Sequence, residues 1–194
     1  MARPKSFDPD TVLAKAMGVF WEKGYDAASI SDLTAAMGIN RFSLYDTFGD
    51  KHELYLKALD AYSDRVVGAM VGRINSVESL GDIEALFCGM IESQHSDACS
   101  PCCMMHRAAI SLAAVDDEAR ARVETARDRF HAAFHDALGR IKRSGGLRGD
   151  LDLNQAAWLL MISKSGLASY TGSPVPEDEA KGAIRGLLSQ FRAS

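Results

Sequence analysis

The sequence predicts an all-α protein of about nine helices, a three-helix module at the N-terminus followed by a larger helical part. Three observations carry this. Apolar residues recur at three- and four-residue steps along most of the 194 residues. Helix-starting residues (Asp8-Pro9, Ser29, Asn40, Asp50, Asp152) stand just ahead of these periodic stretches. Glycine and proline are not concentrated anywhere, and no repeat or low-complexity tract interrupts the pattern.

The chain opens with a basic arm holding Arg3 and Lys5, for which two readings stand: a solvated tail, or an arm that reaches a nucleic-acid groove. Asp8-Pro9 then provides a cap and a first-turn proline. Val12, Leu13, Ala16, Met17 and Phe20 form the buried stripe of the first helix, and Gly24 ends it. Trp21 and Tyr25 are expected at the core or its rim.

Ser29 and Asp32 have capping-box spacing, with Asp in place of Glu. Leu33, Ala36 and Met37 share one face of the helix that follows. Gly38 supplies the left-handed residue that stops it. Ile39 packs in the turn and Asn40 caps the next helix, Arg41 to Phe48. Leu44 and Phe48 point inward at i, i+4, leaving Arg41, Phe42, Ser43, Tyr45 and Asp46 on other faces. Helix, glycine turn and short polar-faced helix is the layout of a DNA-reading helix-turn-helix. Asp50 caps the next helix with Glu53 at the capping-box position, so Lys51 stands at a helix N-terminus, a place that favours an anion.

From Lys51 one helix is expected to about Ile74, burying Leu54, Leu56, Leu59 and Tyr62 and forming the only link between the two halves. After a linker at 75–81, a helix carries Ile83, Leu86, Phe87, Met90 and Ile91. Residues 93–109 read SQHSDACSPCCMMHRAA. Ser100 and Pro101 resemble a cap and first-turn proline, which puts Cys102 and Cys103 in a first helical turn, where the dipole stabilises a thiolate. Cys99 and Cys102 have Cys-x-x-Cys spacing, but the β-α-β surroundings of a thioredoxin-like fold are missing. His95, Cys99, Cys102, Cys103 and His106, with Met104 and Met105, leave three readings open: packing around a pocket, redox or electrophile sensing, and soft-metal sensing.

A long helix follows from Asp116-Asp117-Glu118 to about Arg143, with Val123, Ala126, Phe130, Phe134, Ala137 and Ile141 on its apolar face. His131 and His135 lie four apart on one face, as a flank or interface pair or as metal ligands. Asp152 opens the penultimate helix, which holds Trp158, Leu159, Leu160, Met161 and Ile162, then Ser163, Ser165, Gly166, Ala168 and Ser169. The last helix carries Ala180, Gly182, Ala183, Ile184, Gly186, Leu187 and Leu188. Two helices this apolar and this dotted with small residues suit close packing against a second copy. Lys164 lies within the apolar run, aimed at an acid across an interface or into a pocket.

Gly24-Tyr25, Ser29 to Leu33, Gly38-Ile39, Ser43-Leu44-Tyr45, Phe48 and Asp50-Lys51 together closely resemble the N-terminal domain of TetR-like transcriptional regulators, over about residues 8–60. The resemblance implies a DNA-binding domain at residues 1–50 and a ligand-sensing, dimerising domain at residues 51–194. It implies a homodimer formed through the last two helices, two reading helices about 34–36 Å apart on a near-palindromic operator, and repression relieved by a small-molecule inducer. Carried over residue by residue, Tyr45 and Lys51 contact phosphate. Arg41 and Ser43 are the candidates for base-edge or neighbouring phosphate contacts, and Phe42 for a thymine methyl or sugar; Ser29 and Asn40 complete the DNA-facing set. Asp46 departs from the family pattern: an acid there repels phosphate or accepts from a cytosine amino group. The inducer pocket is assigned to Phe87, Met90, Met104, Phe130, Trp158 and Met161, with Cys99, Cys102, Cys103 and His106 as sensing candidates; redox, electrophile or metal sensing on the same fold is the alternative.

Charge constrains this reading. The net charge is −4, and residues 1–51 hold six Lys/Arg against seven Asp/Glu. Affinity for DNA must therefore come from a few placed groups and from two copies acting together. No apolar run reaches membrane-spanning length and the first ten residues do not form a signal peptide, so a cytoplasmic protein with reduced thiols is expected, without cofactor or resident metal. No Ser-His-Asp set, phosphate-binding glycine loop or paired carboxylates point to an enzyme.

Overall fold

The computed structural model describes residues 7–95, 103–170 and 173–193. Helices α1 (Pro9–Ala27), α2 (Ile30–Met37), α3 (Arg41–Phe48) and α4 (Lys51–Tyr62) come first, then a π turn (Ser63–Val67) leading into α5 (Gly68–Asn75). They are followed by α6 (Leu80–His95), α7 (Met104–Ile110), a 3₁₀ turn (Leu112–Ala114), α8 (Asp117–Arg143), α9 (Leu153–Ser169) and α10 (Glu177–Ser189). With α4, the π turn and α5 counted as one continuous run, these are the nine expected helices among the described residues. The π turn is the departure from the single helix expected at 51–74; its i→i+5 bonding rephases the helix face midway. An isolated antiparallel bridge pairs Leu147 with Arg192.

The chain divides into two compact units, Met1–Val66 with Cys103–Glu124, and Val67–Cys102 with Thr125–Ser194. The expectation of a single linking helix is thereby corrected: the chain passes between units at 66–67, 102–103 and 124–125. The second of these returns α7 and the first turns of α8 to the unit that holds α1 to α4.

In the first unit, α1 packs against α2, α4 and α7. Val12, Ala16, Met17 and Phe20 of α1 are buried, as are Leu33 and Met37 of α2, Leu44 and Phe48 of α3, and Leu54 and Tyr55 of α4. Ala36, which shares a face of α2 with Leu33 and Met37 by spacing, is exposed. In the second unit Phe87, Ala126, Phe130, Phe134, Leu138, Leu160 and Met161 form the core, with Phe87 and Phe134 stacked at 6.3 Å. Arg140 donates to the carbonyls of Ile74, Asn75 and Val77, closing the C-terminus of α5. Lys181 of α10 bridges Glu92 of α6 and Glu177.

Candidate nucleic-acid interface

The site begins with a cap. Ser29 Oγ accepts from the Asp32 N–H at 3.1 Å, while Asp32 Oδ2 accepts the Ser29 N–H at 3.0 Å, the reciprocal pair that sets the start of α2. Lys23 Nζ lies 2.6 Å from the other carboxylate oxygen. Lys23 first, then the Ser29 N–H and hydroxyl, hold the Asp32 carboxyl well below the usual range. Gly38 ends α2 at φ 70°, ψ 29°, a left-handed conformation, and donates to Thr34 O. Asn40 Oδ1 then accepts the Ser43 N–H at 2.8 Å and starts α3.

Within α3 the inward pair is Leu44 and Phe48, both buried. The opposite face is open. Phe42 is 79% exposed and Tyr45 41%. Arg41 and Asp46 are exposed, and Ser43 is half-buried. The Arg41 guanidinium lies 5.8 Å from the Tyr45 ring centre. A phenyl ring as exposed as Phe42, on a face holding one cation and one anion, suits contact with an edge that has both apolar and polar groups.

Asp50 Oδ1 caps α4 by accepting the Glu53 N–H at 2.8 Å. Lys51 follows at the first turn but does not extend into solvent. Its ammonium lies 4.6 Å over the centre of the Tyr25 ring and donates to Asp26 O at 3.5 Å. The eight residues expected to face DNA thus fall at three successive helix starts: Ser29 at α2, Asn40 to Asp46 at and along α3, and Lys51 at α4. The Ser29 hydroxyl is engaged in its own cap.

Three long-range contacts tie α7 and α8 to these helices. Arg107 Nη1 donates to Glu22 O at 2.9 Å, beside Gly24, whose φ of 79° breaks the end of α1. His52 pairs with Asp116 through Nε2 and Oδ2, and Asp116 Oδ1 caps α8 by accepting the Ala119 N–H at 2.7 Å. That cap, ahead of the His52 contact, lowers the Asp116 carboxyl below its ordinary value. Arg122 makes a two-pronged pair with Asp60 at 2.9 and 3.1 Å. The parts that Tyr25, His52, Arg107, Asp116 and Arg122 take in this arrangement are not announced by the sequence. Partners 62 to 85 residues apart leave no local signal.

The sensing candidates are dispersed. Cys99 and Cys102 lie outside the described residues. Cys103, expected in a first helical turn, is instead the residue before α7, half-buried and without a side-chain cap bond. Met104 is buried and His106 half-buried, both in the first unit. Phe87, Phe130 and Met161 are buried in the second. Trp158 is 38% exposed, its ring 4.3 Å from His131. Met90 alone of the six pocket candidates lines a cleft of about 510 Å³, shared with Met70, Arg73, Val77, Leu86 and Ser93. His131 and His135 stack at 6.4 Å. Lys164, left open by the sequence, stands 4.1 Å over the Phe130 ring.

A capped helix, a left-handed glycine turn and a second capped helix with its outer face bare define a helix-turn-helix DNA-binding protein. The model described as "Bacterial regulatory proteins, tetR family" matches residues 12–58. YezE, an HTH-type transcriptional regulator of Bacillus subtilis strain 168, is 32% identical over 169 residues, 86% of this chain and 87% of that protein. The HTH-type transcriptional repressor ComR of Escherichia coli K12 is 39% identical over 101 residues, 50% of this chain and 48% of that one. Among solved structures, a cysteine mutant of the TetR family regulator CifR, complexed with 26 bp double-strand operator DNA, superimposes with a TM-score of 0.82 at 27% identity, over 98% of this chain and all of that one. The chain belongs to the TetR family of bacterial transcriptional regulators. The relatives named here are regulators, not enzymes, and no helix among the described residues is long and apolar enough to cross a membrane.

Proposed function

We propose that the protein is a cytoplasmic homodimeric repressor that leaves a near-palindromic operator when a small-molecule inducer binds. The observation that carries this is the bare face of α3, presented by two side-chain caps and the Gly38 turn. On that face Arg41 and Ser43 read base edges or adjacent phosphate, Phe42 meets a thymine methyl, and Asp46 accepts from a cytosine amino group. Tyr45 and Lys51 hold phosphate, and the free N–H groups at the starts of α2, α3 and α4 add oriented dipoles.

A slightly acidic reading module needs its partner. The outer face of α9 supports one: Trp158, Leu159 and Ile162 are exposed there, Tyr170 is exposed just past its end, and Gly182, Ala183 and Gly186 of α10 are exposed and small enough for close approach. Residues 1–50 then form the DNA-reading domain, joined at its border by Lys51, and the rest of residues 51–194 senses and dimerises. The inducer shifts DNA affinity only by its preference for the state in which the two reading helices are wrongly spaced.

Selection from random-sequence DNA tests the proposal. The expected product is a near-palindrome whose half-sites lie about one helical turn, 34–36 Å, apart. Selection of no sequence at all overturns it and favours a pure interaction module.

A redox or electrophile trigger is the second reading. It is favoured by Cys103 directly preceding α7, whose Arg107 bonds to the end of α1. Mass spectrometry after mild peroxide decides it: if Cys99, Cys102 and Cys103 all stay reduced, the small-molecule reading stands.

A further inference from the structure

We infer that Tyr25 is the positioning residue for the phosphate contact of Lys51, and that the His52–Asp116 pair fixes Tyr25 in place; this rests on the proposed role of Lys51. A lysine at a surface helix start samples many rotamers, and freezing it against a phosphate carries an entropic cost. Here the ammonium is already placed, 4.6 Å over the Tyr25 ring. Its other contact is the carbonyl of Asp26, at 3.5 Å a long one.

The nature of these partners matters. Carboxylates stand nearby, Asp50 at the cap of α4 and Asp26 beside Tyr25, and both contribute to raising the Tyr25 hydroxyl pKa after burial has done so. An ion pair with either would compete directly with phosphate. A ring face and a carbonyl attract the cation, orient it, and yield to a full negative charge.

The ring itself is held on its other sides. Tyr25 is tilted against Tyr55 at 5.0 Å, and Tyr55 is buried with its ring edge-on to Phe20 at 5.0 Å. His52 meets Tyr25 edge-on at 6.4 Å, and its Nε2 is anchored by Asp116, the residue that caps α8. Gly24, immediately before, takes the positive φ that turns Tyr25 out of the α1 helical path. Lys51, Tyr25, His52 and Asp116 therefore form one contiguous set within the first unit. The start of α8 thus bears on the DNA-contacting lysine through two aromatic rings.

The test is fluorescence-anisotropy titration of the full-length protein with its selected operator at several salt concentrations. Lys51→Ala and Tyr25→Leu are each expected to weaken binding about tenfold and to lower the salt slope by about one per subunit. Tyr25→Phe keeps both, because the ring face remains. The Tyr25→Leu/Lys51→Ala double variant binds no more weakly than Lys51→Ala alone, since both remove one interaction. Pentafluorophenylalanine at position 25 keeps the ring's shape but cancels its negative face, and is expected to reproduce Tyr25→Leu with the melting temperature unchanged. The inference is overturned if Lys51→Ala lowers the slope while Tyr25→Leu and the fluorinated ring leave it intact, or if the double variant is additive. If Lys51→Ala itself changes nothing, the phosphate role of Lys51 fails first.

Discussion

Two glycines in α1 should respond to the same substitution with opposite signs. Gly18 lies mid-helix, and a Cβ added there meets no atom within 4 Å. Alanine at Gly18 gains helix propensity and should stabilise by up to about 1 kcal/mol. Gly24 sits at φ 79°, ψ 176°, a region essentially reserved for glycine. A Cβ there comes 3.3 Å from Arg107 Cδ, pressing on the side chain that donates to Glu22 O. Backbone strain of about 1–3 kcal/mol adds to about 1 kcal/mol for a disturbed hydrogen bond. Gly18→Ala and Gly24→Ala should therefore differ by at least about 2 kcal/mol, which for a chain of this size separates their melting temperatures by at least about 4 °C. Thermal unfolding followed by circular dichroism reads this directly. Shifts of the same sign, or a neutral Gly24→Ala, would refute the view that Gly24 is there for its conformation.

Leu44→Ala, at a fully buried position, should cost about 2–5 kcal/mol and abolish operator binding with the fold of α3, whereas Phe42→Ala should leave the melting temperature unchanged and alter only the sequence selected from random DNA. The Asp32 carboxyl, lowered in the folded state chiefly by Lys23 and Ser29, contributes stability that is present above the unfolded pKa near 3.9 and is lost as pH falls below it; Asp32→Asn should remove that contribution, lowering the neutral-pH urea midpoint slightly because the pair is screened by solvent, and should flatten acid unfolding in that window. Ile162→Asp, placed on a side chain 65% exposed in the centre of the α9 apolar face, should give a folded monomer by light scattering that no longer binds a two-half-site operator; a dimer that persists would move the interface elsewhere.

Much of the fold was legible because it is locally encoded. Ser29 with Asp32, Asn40, Asp50 and Asp152 mark helix starts by side chains that reach three residues on, Gly38 ends α2 by its left-handed backbone, and the structure uses each of them so. The inward set Leu33, Met37, Leu44 and Phe48 follows from helical period alone. What stayed hidden depends on distant partners. Nothing near Tyr25 in sequence announces that Lys51, 26 positions on, will lie over its ring. Nor do the acids before α8 announce His52. The return of 103–124 to the first unit has the same cause, since a helix pattern does not say which unit its helix joins. The pocket assignment rests on the resemblance and on apolar character, and that character marks burial rather than space: Phe87 packs on Phe134, and of the six pocket candidates Met90 alone lines the cleft. The start of α7 was misplaced because a Ser-Pro pair is a permissive signal for a helix start, not a sufficient one.

The central claim is that α3 and the start of α4 read DNA through a few placed groups rather than through bulk charge. The most direct test is the salt dependence of operator affinity for the wild-type protein beside Tyr45→Phe and Lys51→Ala. The expected result is weaker binding for both variants, with a salt slope lowered by about one per subunit for Lys51→Ala. Unchanged affinity and slope in both would contradict the claim.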